Sequence, residues 1–198
     1  MDWAFALAAG YVIGSIPTAN AIAGLFGIDL RSSGSGNPGA NNARRVGGLG
    51  LSVAILLVEA SKGAASVLAG EILAGLPGML AAGLGAATGN VFNIWYRFQG
   101  GKGLGITLGV LLAAWPLALP PVIVAIAAVA VITRSTGIAT LGALALLVTL
   151  GLLWFPMAWP TGWGADGNSV PWLAIGLAVV LVPKHLIDAL AHPARTRG

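Results

Sequence analysis

The sequence contains no cysteine and only two histidines, His185 and His192. Without cysteine there is no disulfide, no thiolate nucleophile and no cysteine-ligated metal. Both histidines fall after the last apolar run. There is no HExxH, no carboxylate cluster at metal-ligand spacing and no Ser-His-Asp set with helices to hold it, so no metal site is expected. An enzyme built from this chain lacks an obvious protein base, and its reaction calls for an activated substrate or a base carried by the substrate.

Charge is equally scarce. Only 8% of the 198 residues are charged while 57% are hydrophobic, against about 25% charged in an ordinary soluble domain. That balance points to a polytopic membrane protein. The 30 glycines fit it, because small residues let transmembrane helices approach closely. The net charge of +4 is better explained by the positive-inside rule than by a nucleic-acid partner, and none is expected. Asp2 precedes the first apolar run with no basic residue beside it, so that run is expected to stay as a helix rather than be cleaved as a signal peptide.

Hydrophobic runs cover 3–27, 50–73, 76–95, 103–116, 118–133, 137–156 and 171–183. Each is about long enough to cross a bilayer, the shorter ones only where the structure is thin or the helix broken. The fourth and fifth, parted by Pro116, Pro120 and Pro121, form either a tight hairpin or a partly re-entrant element. Seven crossings place Arg31, Arg44, Arg45, Arg97, Lys102, Arg134, Lys184, Arg195 and Arg197 on one side. Asp2, Glu71 and Asp166 fall on the other, and Lys62 lies within the second helix. The basic side should be cytoplasmic, with the N-terminus outside and the C-terminus inside. The expected fold is all-α: one integral membrane domain over 1–198, a bundle of about seven transmembrane helices and a monomer. The segment from Trp159 to Pro171, with Trp154, Trp159, Trp163 and Trp172 around it, reads as an outer loop anchored by interfacial tryptophans.

Against this apolar background one stretch is polar, the run from Asp29 to Arg45. Residues 33–47 include no aromatic, leucine or isoleucine. Gly34, Gly36, Pro38 and Gly39 argue against regular helix. Such a loop can turn several N–H groups toward one point and make an anion nest. Ser35, Asn37, Asn41 and Asn42 add side-chain donors, and Arg31, Arg44 and Arg45 add positive charge. The alternative is a plain polar connector.

A second element, Gly100-Gly101-Lys102-Gly103, opens the fourth helix. Glycines before a helix N-terminus present free N–H groups and the positive end of the dipole, which favour phosphate. It lacks the Walker A spacing. Both loops share one predicted face, which suggests a phosphate-bearing ligand. Glu59 and Lys62, spaced i, i+3, can meet on one helix face. Either Lys62 points to the site with Glu59 orienting it, or the two form a self-neutralised structural pair. Asn20, Asn90 and Asn93 need partners in lipid, and interhelical hydrogen bonds are their commoner use. Thr133-Arg134 offers another anion contact or marks a membrane boundary.

These motifs resemble the bacterial acyl-phosphate:glycerol-3-phosphate acyltransferases, the PlsY family. The resemblance runs from Gly14-Ser15-Ile16-Pro17-Thr18-Ala19 through Asp29-Leu30-Arg31, Gly34-Ser35-Gly36-Asn37, Gly39-Ala40, Asn42 and Arg45. It continues at Glu59-x-x-Lys62-Gly63, where the family usually has aspartate, at Phe98-x-Gly100-Gly101-Lys102-Gly103 and at Thr133-Arg134. The resemblance implies an integral membrane enzyme that moves a fatty acyl group from acyl phosphate to the 1-hydroxyl of sn-glycerol 3-phosphate. The products are lysophosphatidic acid and phosphate, no metal or coenzyme is used, and the donor's phosphate serves as base. It implies catalytic roles for Ser35, Arg45 and Lys102. Substrate or phosphate binding falls to Gly34, Gly36, Asn37, Asn42, Lys62, Gly100, Gly101, Gly103 and Arg134. The site should face the cytoplasm from the cell membrane.

The sequence departs from the family pattern at several points. Asn90 stands where a histidine is usual, and Ile106 where a threonine is. Ser135-Thr136-Gly137 follows Arg134 in place of Tyr-Val-Ser. Pro183-Lys184-His185-Leu186-Ile187 replaces the final His-Arg-Glu-Asn-Ile. The donor side is kept and the acceptor side altered, so the expectations include a related acceptor or, from another class, a non-catalytic anion-binding or transport protein.

Overall fold

The computed structural model describes residues 2–191 and is all-helical, with no strand among them. His192, Arg195 and Arg197 lie outside the described residues. Five helical stretches are long and apolar enough to cross a membrane: Asp2–Gly24, Ala40–Tyr96, Pro116–Thr133, Thr136–Trp154 and Val170–Ala191, with Leu104–Ala114 as a shorter apolar helix. The chain forms two compact units, Met1–Ala114 and Trp115–Gly198.

In the first unit the predicted run 3–27 is not one helix. It divides into α1 (Asp2–Ser15) and α2 (Thr18–Gly24). Pro17 has no N–H to continue the ladder and its ring disfavours helix before it. The break leaves the Ile16 carbonyl free of the α-helical pattern, to accept from Thr18 N at 2.9 Å.

Next comes α3 (Ala40–Val91), helical over 52 residues except at Gly48, Ala74 and Gly75. A straight helix of that length would span about 78 Å, more than twice the hydrocarbon thickness. Gly75, at φ 60°, adopts a backbone that other residues avoid, and Ala74 is also non-helical. There the chain folds into two legs, where the sequence separates its second and third runs. The legs meet at Gly70 and Gly78, each packed against the other's carbonyl oxygen.

The same device seats the other helices. Gly10 and Gly14 of α1 lie on the carbonyls of Ala82 and Ala86, while Gly85 and Gly89 lie on those of Leu7 and Tyr11. A short 3-10 turn (Ile94–Tyr96) then leads to α4 (Leu104–Ala114). Its Gly109 meets the Ala60 carbonyl, and Gly63 of α3 meets that of Ile106. Lipid supplies no hydrophobic drive between helices, so backbone proximity and dispersion hold them instead. At 11 residues, α4 is shorter than the predicted 103–116 and measures about 16 Å. Trp115, at φ −154°, and Pro116 end it.

The second unit begins with the 3-10 turn Pro116–Ala118 and holds α5 (Leu119–Thr133), α6 (Thr136–Trp154) and α7 (Val170–Ala191). Arg134 caps α5 in the left-handed region at φ 54°, and the Ser135 hydroxyl caps α6 by accepting from Ile138 N at 3.4 Å. Gly137 packs α6 on α7 near Ala189. Asp166 Oδ1 accepts from Ser169 N at 2.9 Å just before α7. Of the tryptophans flanking the 159–171 loop, Trp159, Trp163 and Trp172 are exposed as interfacial anchors would be. Trp154 is not. It is buried edge-to-face against Trp115 and Trp159, and its indole N–H donates to the Pro160 carbonyl.

Candidate active site

Two loops of the first unit carry the predicted site. The first, between α2 and α3, is pinned from below. Leu30 is fully buried in an apolar cluster with Ala19, Ala23, Ala43, Leu51 and Ile55. Above it the loop is tied by two asparagines. Asn20 Oδ1 accepts from Leu30 N at 2.9 Å. Asn42 donates to the carbonyls of Leu30 and Ser33, both at 2.9 Å, and its Oδ1 accepts from Ser35 N at 2.8 Å. Both Asn42 donors are therefore used, and the side chain is buried. It shapes the loop that carries Ser35. Gly34, at φ 61°, has no room for a side chain because a Cβ would strike Asn42 Oδ1. Gly36, at φ 71°, closes a turn through its N–H to the Ser33 carbonyl.

This scaffold leaves Ser35 exposed, Asn37 half-buried, and Arg44 and Arg45 exposed on the opening turns of α3. Gly39 begins that helix without a side-chain cap. Its first N–H groups have no helical acceptor and carry the positive end of the dipole, so dipole and arginines place positive charge at the same spot. Asp29 stays ionised below the usual carboxylate range, held first by the Arg31 N–H and then by the Ser32 hydroxyl.

The second loop follows a left-handed pair, Arg97 and Phe98, at φ 51° and 64°. Here the structure corrects the sequence. The N–H groups of Gly100 and Gly101 are not open to phosphate: they donate to the carbonyls of Val91 and Asn90, both at 3.0 Å. Gly100 is needed for close packing, since a Cβ there would strike the Asn90 carbonyl. Donors without helical partners begin at the first turn of α4. Gly103, at φ 79°, starts α4 by accepting from Thr107 N at 3.0 Å, and the first-turn N–H groups of α4 lack helical partners. Lys102 is half-buried beside them.

The structure brings the two loops together. Arg31 donates from Nη1 to the Gln99 carbonyl at 3.1 Å, and its guanidinium stacks 4.1 Å above the Tyr96 ring. Such stacking adds about 0.5–1 kcal/mol at an exposed site. A small cleft opens between the loops, with Pro17, Asn20, Pro38, Glu59, Asn90 and Gly101 among its lining residues.

Beneath the cleft lies the Glu59–Lys62 pair, both residues buried. Lys62 Nζ donates to the Ile16 carbonyl at 2.7 Å, to Glu59 at 3.1 Å and to Thr18 Oγ1 at 3.2 Å. Glu59 also accepts from Thr18 Oγ1 and Asn90 Nδ2, each at 2.6 Å. All three lysine donors are engaged, and Lys62 staples the proline break in place. The two residues form the ion pair that their i, i+3 spacing allows. Asn93 likewise serves structure, donating to the Ser15 carbonyl at 2.7 Å. Arg134 is exposed in the second unit, at the cap of α5.

Among known proteins, residues 4–190 match the family model described as glycerol-3-phosphate acyltransferase. The chain belongs to that family. A glycerol-3-phosphate acyltransferase of Synechococcus sp. (strain JA-3-3Ab) is 41% identical over 191 residues, covering 92% of this chain and 87% of that one. One from Agrobacterium fabrum is 41% identical over 152 residues, 76% of this chain and 73% of that one. The fold is similar to a crystal structure of PlsY, an integral membrane glycerol 3-phosphate acyltransferase, in its glycerol 3-phosphate form. The TM-score is 0.78 at 25% identity, covering 100% of this chain and 96% of that one.

Glycerol-3-phosphate acyltransferase membership concerns the chain as a whole and assigns no role to either cationic loop. It does not by itself make Arg31 the tie between them. Arg31 and Tyr96 are 65 positions apart in the sequence, and no periodicity or motif links them, so no sequence signal could have found this contact.

Proposed function

We propose that the chain is an acyl-phosphate-dependent glycerol-3-phosphate acyltransferase of phospholipid synthesis. The observation that carries this reading is the joining of two cation-bearing loops across a small polar cleft in a member of the acyltransferase family. Both substrates carry phosphate, and each loop offers one set of cations and helix N–H groups.

In the reaction the 1-hydroxyl oxygen of glycerol 3-phosphate attacks the acyl carbonyl. The bond from carbonyl carbon to phosphate oxygen breaks, and the hydroxyl proton leaves with the released phosphate. Lys102 and the first turn of α4 hold one phosphate. Arg45, Ser35 and Asn37 with the first turn of α3 hold the other and steady charge developing on the acyl oxygen. Gly34 and Gly36 give the first loop its shape, and Gly100, Gly101 and Gly103 the second. Holding both substrates supplies proximity.

The chain works as one monomeric domain of the cell membrane. Seven crossings follow if the two legs of α3 count separately and α4 completes a crossing with its flanking residues. The basic residues then gather on the cytoplasmic face with the site, the N-terminus lies outside and the C-terminus inside. The test is mass spectrometry of lysophosphatidic acid made by purified protein from palmitoyl phosphate and glycerol 3-phosphate. Product with both substrates supports the reading, whereas acylation of a different glycerol-like acceptor alone would reassign the acceptor. No acyl transfer to any acceptor would overturn it.

A further inference from the structure

The asparagine at position 90 touches both the buried ion pair and the second loop. Its Nδ2 donates to Glu59 Oε2 at 2.6 Å, and its backbone carbonyl accepts from Gly101 N at 3.0 Å. Its Oδ1 lies against the face of Gly101, where an added Cβ would come within 3.2 Å of it. The side chain is a wedge with one polar end on the ion pair and the other on the loop that carries Lys102.

The far side of the wedge is rigid. Glu59 receives Thr18, Lys62 and Asn90, so both of its oxygens are occupied. Lys62 in turn grips the Ile16 carbonyl at the proline break. A fully satisfied buried network has no slack to absorb a moved neighbour. The amide is suited to the joint because it presents an N–H to the carboxylate and only an oxygen to the glycine. A carboxylate of the same shape presents an acceptor to an acceptor.

We propose that Asn90 is a positioning residue for acyl transfer, fixing the Lys102 loop against the Glu59–Lys62 pair and so setting how that loop meets its phosphate. The inference rests on the acyltransferase reading above and acts through Lys102 rather than on substrate.

The test measures both KM values and kcat for purified wild type, Asn90→Asp and Asn90→Ala, with Thr18→Val as comparison. Thr18→Val also removes a bond to Glu59 but touches neither Gly100 nor Gly101. Both Asn90 variants are expected to raise KM for one of the two phosphate-bearing substrates about tenfold while kcat per folded enzyme falls less than about threefold. Thr18→Val is expected to lower the melting temperature while leaving both KM values within about twofold. Three results would overturn the inference: unchanged KM values in both Asn90 variants, the same KM rise in Thr18→Val, or failure of both Asn90 variants to yield folded protein. Absence of turnover in wild type would instead count against the acyltransferase reading.

Discussion

Replacing Lys62 by methionine removes the cation that the structure places on the buried Glu59 carboxylate. Methionine keeps the length and the apolar stem, so the change is one of charge and hydrogen bonding rather than volume. Four contacts go: the Ile16 carbonyl at 2.7 Å, Thr18 at 3.2 Å and the two Glu59 oxygens at 3.1 and 3.3 Å. Breaking a buried pair from one side costs about 3–5 kcal/mol, because the remaining charge is left uncompensated. The lower end applies here. The Ile16 carbonyl keeps Thr18 N at 2.9 Å, and Glu59 keeps the Thr18 hydroxyl and the Asn90 amide. The expected loss is therefore about 3 kcal/mol. Adding Glu59→Gln removes the stranded charge and should return the loss to about 1 kcal/mol, less than the two single losses added together. The assay is reversible unfolding in mixed micelles by detergent titration, followed through the fluorescence of the seven tryptophans. A single variant that loses less than about 1 kcal/mol, or a double variant as unstable as the single, would refute the reasoning.

Other outcomes follow from the same geometry. Gly34→Ala should lower turnover more than tenfold while Gly24→Ala does not, because only Gly34 combines a φ of 61° with the Asn42 oxygen where its Cβ would go; initial rates of the two variants decide it. Asn42→Asp keeps the acceptor for Ser35 N but loses the donors to Leu30 and Ser33, and should destabilise by about 2 kcal/mol in the same micelle titration. Gly14→Leu should separate α1 from the second leg of α3, since even a Cβ meets the Ala86 carbonyl, and its melting point should fall well below that of Gly24→Leu. Asp29 is held below the ordinary carboxylate range by the Arg31 N–H and the Ser32 hydroxyl. Its contribution is present above the unfolded pKa and is lost only as pH falls through the lower folded one. Protease sensitivity of the 29–37 loop should thus stay constant from pH 8 to pH 5 and rise only in stronger acid.

Apolar runs and charge asymmetry made the helical membrane class legible, and the kink at Ala74–Gly75 lies between two predicted runs. Residue type reported composition well and geometry poorly. Pro17 sat inside an unbroken apolar run, so hydropathy read one helix where a missing N–H made two. The loop residues were identified from their chemistry, but not where their donors go. Asn42, Lys62, Gly100 and Gly101 look like ligand groups in sequence, yet each spends its N–H groups on the fold. Which carbonyl lies opposite is set by packing between segments far apart in the chain, and only the folded backbone reveals it. Trp154 taught the same lesson in reverse: an expected interfacial anchor became a core residue once Trp115 and Trp159 closed around it.

We propose that the joined loops carry out acyl transfer from acyl phosphate to glycerol 3-phosphate. Phosphate release from palmitoyl phosphate by purified protein, with and without glycerol 3-phosphate and beside Lys102→Ala, tests it most directly. Release should require the acceptor and disappear in the variant. Equal release by wild type and Lys102→Ala, or none from either, would contradict it.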